Sequence, residues 1–197
     1  MQLDCYAIQK DAKGDFMARL TIVDPAKATG KAKELLAAVQ AKLKLTPNMA
    51  RVMANSPAVL EGYLNFSGAL AGGSLDAKLR EQIALVVAQT NSCEYCLSAH
   101  SAIGKLVGLT DGEIEASRDG QGSTVRTTVA LRFAHQVVES KGAVGDEAVA
   151  AVRNAGFNDG EIAEIIGNVA VNIFTNYFNK AAAVDVDFPK VALGKVA

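Results

Sequence analysis

An all-α fold is what this 197-residue chain predicts. Three observations carry the expectation. Apolar residues recur at three- and four-residue spacing through most of the chain after about residue 25. The runs are bounded by capping residues, prolines and glycines. Strand-like sequence is confined to Leu20 to Val23 and the tail after Val184.

Asp24 before Pro25 reads as an N-cap with proline at the first helical position, opening a helix over 25–43 with the stripe Leu35, Leu36, Val39 and Leu43. Thr46-Pro47 starts a short helix through Val52 and Met53. Ser56-Pro57 caps a third, in which Leu60, Tyr63, Leu64 and Leu70 share a face, and Gly72-Gly73 stops it. Ser74 or Asp76 caps a fourth that runs to about Asn91, with Leu79, Ile83, Val86 and Val87 as its main buried face. A helix over 93–107 ends at Gly108, a C′ glycine. Thr110 with Glu113 makes a capping box for a short helix to Ser117. After the loop 120–123, three more helices are predicted over 124–140, 146–155 and 158–181. Along the last, Asn168, Asn172 and Asn176 form a polar seam suited to cross a helix contact.

One helical unit occurs twice. Gly108 to Ile114 (GLTDGEI) recurs as Gly156 to Ile162 (GFNDGEI), 48 positions on, and the helices before each copy match in type. The same offset sets Lys141, Val144 and Ala148 against Cys93, Cys96 and His100, and Val129 against Glu81. The expected architecture is thus a helical bundle with a degenerate internal repeat, of which the first copy alone carries chemistry.

Composition narrows the function. Half of the residues are apolar and the net charge is −1, with no basic block, so neither nucleic acid nor an anionic membrane is an expected partner. The longest apolar run, Ile83 to Ala88, is far too short to span a bilayer. Residues 1–16 read as an arm before a domain over 17–190, with 191–197 as a tail. That arm has Asp4 and no apolar h-region, which points away from secretion and toward the cytoplasm. Cys5, in the arm, receives no function, and His135 reads as structural.

The chemistry is concentrated in residues 81–100. Of three cysteines and two histidines in the chain, Cys93, Cys96 and His100 fall here, with Glu81 twelve residues before the first sulfur. On a helix, Cys93, Cys96 and His100 share one face. A cysteine is reactive as its thiolate, and a free thiol titrates at about 8.5, so work near neutrality needs help. A helix N-terminus favours a negative sulfur. His100, one turn beyond Cys96, is placed to take its proton, and a hairpin would return Glu81 to orient the imidazole. Spacing alone does not separate a redox pair from a zinc half-site. Structural zinc would need four ligands, with Glu81 as the fourth, and no second Cys or His pair is present.

Glu81, eleven residues, then Cys-x-x-Cys-x-x-x-His resembles the core signature of the alkylhydroperoxidase (AhpD-like) branch of the carboxymuconolactone decarboxylase superfamily. The similarity is firmest over about 60–118 and extends more loosely from Met17 to Pro189. It implies an all-helical subunit assembling as a dimer, trimer or hexamer, and a cysteine peroxidase using neither metal nor haem. Its partners would be a peroxide and an external dithiol or lipoyl-type reductant. The resemblance, with the Cys96–His100 spacing, implies Cys96 as the peroxidatic sulfur, Cys93 as the resolving one, and Glu81 with His100 as the proton relay. Where that branch has a histidine before the second cysteine, this chain has Tyr95, in position to pack or to hydrogen-bond. The alternatives are a general disulfide oxidoreductase, and a zinc-binding or redox-sensing helical module without turnover.

Overall fold

The structure is a computed structural model that describes residues 18–194; the arm holding Cys5 lies outside them. Among the described residues there are nine helices and no strand: α1 (Gly30–Leu43), α2 (Asn48–Met53), α3 (Pro57–Ala71), α4 (Ala77–Thr90), α5 (Glu94–Leu106), α6 (Asp111–Arg118), α7 (Val125–Glu139), α8 (Asp146–Asn154) and α9 (Asp159–Ala182). No described helix is long and apolar enough to cross a membrane.

The bundle is built around α4. Every residue from Gln82 to Gln89 is buried, so this helix is enclosed on all sides. It packs against α5, α6, α7 and α9. On one side Ile83, Val86 and Val87 meet Leu131, Phe133 and Ile165 in the core shared with α7 to α9. On the other, Leu85 and Ala88 meet Cys93, Cys96 and Leu97. The α1–α3 layer has its own cluster around Leu36, Met53 and Leu60.

Two expectations require correction. The first helix starts at Gly30, not Pro25. Asp24 serves a tight turn instead: its Oδ1 accepts from Ala26 N at 3.0 Å and its carbonyl from Lys27 and Ala28. Gly30, at φ +53°, then redirects the chain. The segments 20–23 and 184–194 form no strand. Val184, Val186, Phe188 and Val191 pack into the core beside α5. Val191 N donates to Ser98 Oγ at 3.0 Å, and Arg118 donates to Ala192 O at 3.0 Å. Asp187 also accepts from Asn48 N at 2.7 Å, so this segment caps α2, whose N-cap Pro47 has no side-chain acceptor.

The repeat is present in three dimensions. Gly108 and Gly156 take φ +88° and +89°, closing α5 and α8 in the left-handed region open to glycine. Thr110 with Glu113, and Asn158 with Glu161, form reciprocal capping boxes on α6 and α9. The backbone N–H of Thr110, and after it the Thr110 hydroxyl, hold the Glu113 carboxyl below its ordinary value.

Candidate active site

The α4–α5 connection is three residues long, and Cys93 N donates to Ala88 O at 2.9 Å with Ser92 at φ +51°. That tight turn folds α5 back along α4. The result is direct contact between residues nineteen apart: His100 Nδ1 lies 2.7 Å from Glu81 Oε2. Both side chains are about one-fifth exposed, at 21% and 18%. The carboxylate thereby fixes one ring nitrogen of the imidazole and leaves the other for chemistry.

Cys93 is the N-cap of α5, and its Sγ accepts from Cys96 N at 3.3 Å. Cys96 sits one turn in, with the two Cα atoms 5.3 Å apart and the sulfurs joined as a disulfide. Both residues are buried. They differ in what they face. Cys96, Glu81 and His100 all line a cavity of about 360 Å3, whereas Cys93 is not among its lining residues. The walls are mainly apolar, including Leu43, Leu45, Leu70, Ile103 and Leu106. Tyr63 and Leu70 of α3 point into this space, which explains why Leu60 alone of the α3 apolar face is fully buried.

Tyr95 is held by packing and by a hydrogen bond together. Its ring meets Phe188 edge-on at 5.8 Å, and its hydroxyl oxygen accepts from Met49 N at 3.2 Å. Burial above all, with Asp187 adding, pushes the phenol far above its ordinary value. Tyr95 therefore stays protonated where a histidine would titrate.

The sequence did not single out Asn179. Its Nδ2 donates to Cys96 Sγ at 3.3 Å and lies 3.3 Å from Met49 Sδ. The signal was the asparagine seam, which continues from Asn168, Asn172 and Asn176 to Asn179 at one further helical step. All four are buried. Asn168 and Asn172 donate back along α9, while Asn176 Oδ1 accepts from Asn91 at 3.1 Å, so the seam crosses to the α4–α5 turn. His135 lies on the exposed face of α7. Among the described residues no three His, Cys, Asp or Glu side chains converge to hold a metal ion.

This arrangement of helices is the AhpD-like helical fold. Residues 57–139 match the model of the carboxymuconolactone decarboxylase family. An uncharacterised protein of Haemophilus influenzae is 52% identical over 46 residues; the chain spans 41% of that relative and the match 23% of this chain. The alkylhydroperoxidase AhpD core structure of a peroxidase-related protein from Ralstonia eutropha JMP134 superposes with a TM-score of 0.79 at 22% identity, covering 86% of this chain and 92% of that one. A peroxidase-related protein from Silicibacter sp. TM1040 gives 0.75 at 24% identity, covering 89% and 92%. The debrominase Bmp8, solved as a cysteine-to-alanine variant with 2,3,4-tribromopyrrole, gives 0.74 at 18% identity, covering 87% and 94%.

Proposed function

We propose that the protein is a thiol peroxidase of the alkylhydroperoxidase type, cycling through Cys93 and Cys96. The observation that carries this reading is the cavity onto which Cys96, Glu81 and His100 all open, with the carboxylate and imidazole 2.7 Å apart and Cys93 bonded to Cys96. The reduced Cys96 thiolate attacks the terminal oxygen of a hydroperoxide. An S–O bond forms, the O–O bond breaks, and the departing alkoxide takes a proton from the His100–Glu81 pair to leave as an alcohol. Cys96 is then a sulfenic acid. The Cys93 thiolate attacks its sulfur, water leaves with the hydroxyl and one proton, and the disulfide closes before overoxidation. An external dithiol of lipoyl or protein type returns two electrons by exchange. Tyr95 takes no proton in this scheme.

A reducing compartment such as the cytoplasm would supply that dithiol. Assembly into a homo-oligomer is part of the same reading, supported by exposed Phe66, Ile166, Phe174 and Tyr177 on α3 and α9. Light scattering at several concentrations checks it, and a strict monomer counts against it.

The test of the function is a dithiol-coupled assay of hydroperoxide consumption, run beside elemental analysis of the dialysed protein. Turnover that requires both Cys93 and Cys96 is the expected result. A protein that retains stoichiometric zinc and consumes no peroxide is instead the zinc-bound module.

A further inference from the structure

Within that redox reading, we propose that Asn179 is a positioning residue that sets the acidity of the cavity-facing sulfur. The two sulfurs are held by different means. Cys93 occupies the N-cap of α5, where backbone N–H groups and the helix dipole favour a negative charge. Cys96 lies one turn along, and its side chain receives no bond from the helix N–H groups. Among the described residues the donor to Cys96 Sγ is Asn179 Nδ2, reaching across from α9 at 3.3 Å. The nearest negative charge on the cavity wall is Glu81, which opposes a thiolate unless His100 is protonated. A neutral donor that remains a donor at every pH is the group that favours the ionised sulfur without depending on that pair.

A second observation sets Asn179 apart from a packing residue. It is only 4% exposed, lines the cavity, and its Oδ1 is buried with no hydrogen-bond partner. An interior amide oxygen left unpaired is unfavourable, and a leucine of similar volume would avoid it. Asn179 keeps that oxygen in order to keep the amide N–H on the sulfur.

The experiment reads the Cys96 titration without any peroxide. In Cys93→Ser protein, whose serine retains an N-cap oxygen, the pH profile of Cys96 alkylation by iodoacetamide is followed by mass spectrometry of its peptide. In the same background, Asn179→Leu is expected to move the midpoint up by about one pH unit, so that the thiolate fraction at fixed pH falls about tenfold. Asn179→Ala should shift it in the same direction, which covers a failure of the leucine variant to fold. An unmoved midpoint in either folded variant overturns the assignment. A shifted midpoint, alongside a wild-type protein that consumes no hydroperoxide in the dithiol-coupled assay, keeps this inference and removes the peroxidase reading instead.

Discussion

The two copies of the repeated unit share a frame and differ in what the frame carries. In α4–α6 and in α7 through the start of α9, the same turn buries Leu109 and Phe157, and the next helix buries Ile114 and Ile162, each at 6% exposure. The positions opposite the reactive residues hold Val129, Val144 and Ala148, which pack on the α7–α9 core. The backbone diverges there as well. α5 begins at Glu94, but its counterpart α8 begins only at Asp146, because Lys141 and Gly142 take φ +54° and +91° and hold the intervening stretch as a loop. The second copy therefore lacks both the cysteines and the helical turn that would present them. The frame folds by its glycine, its capping box and its apolar residues, and the cysteine pair occurs in one copy alone.

That contrast yields a graded set of outcomes. On the proposed mechanism Cys96→Ser removes the attacking sulfur, and it should reduce peroxide turnover to background while the thermal midpoint stays near wild type. Glu81→Gln keeps the shape but withdraws the charge on His100, and a loss of about a hundredfold in kcat is expected; an unchanged rate would exclude Glu81 from the mechanism. Phe157→Ala, in the silent copy, empties a buried site packed under Arg126 at 3.7 Å. It should cost about 3 kcal/mol in denaturant unfolding yet leave Cys96 alkylation of the folded protein unaltered. A large change in that alkylation would mean the copies are coupled more tightly than their cores suggest.

Smaller effects examine the frame. Gly108→Ala and Gly156→Ala place a Cβ at matching left-handed positions, where little more than the Lys78 side chain of Gly108 lies near. Each should lose about 1 kcal/mol, and equally. Glu164 offers the finest test. It belongs to the second copy and accepts from Ser74 N and Leu75 N at 2.8 to 2.9 Å, joining α9 to the loop before α4. The Ser74 bond foremost holds its carboxyl below the ordinary value. A lowered carboxylate stabilises the fold above its unfolded value and loses that contribution as pH falls through the folded one. Glu164→Gln should therefore be weaker than wild type by about 1 kcal/mol at neutrality, with the gap closing below about pH 4.

How much of this was legible in the sequence follows from range. Glu81, Cys93, Cys96 and His100 lie on two consecutive helices joined by a short turn, so spacing alone was enough to expect the acid beside the imidazole. The capping boxes and the glycine turns were legible for the same local reason. Asn179 was not, because its contact with Cys96 spans 83 positions and depends on where α9 crosses α5. The partner of Tyr95 at Met49 lies 46 positions away and was equally hidden. At Asp24-Pro25 two readings share one pattern, since an N-cap with proline and a tight turn use the same residues; Gly30, five positions later, decides for the turn.

The central claim concerns one sulfur, and sulfenate trapping addresses it most directly. Reduced Cys93→Ser and Cys96→Ser proteins are each given one equivalent of hydroperoxide with a sulfenate-specific probe, and the labelled peptide is identified by mass spectrometry. The account predicts label on Cys96 in the first protein and none on Cys93 in the second. Label on Cys93 in the Cys96→Ser protein, with Cys96 unlabelled in the other, would contradict it.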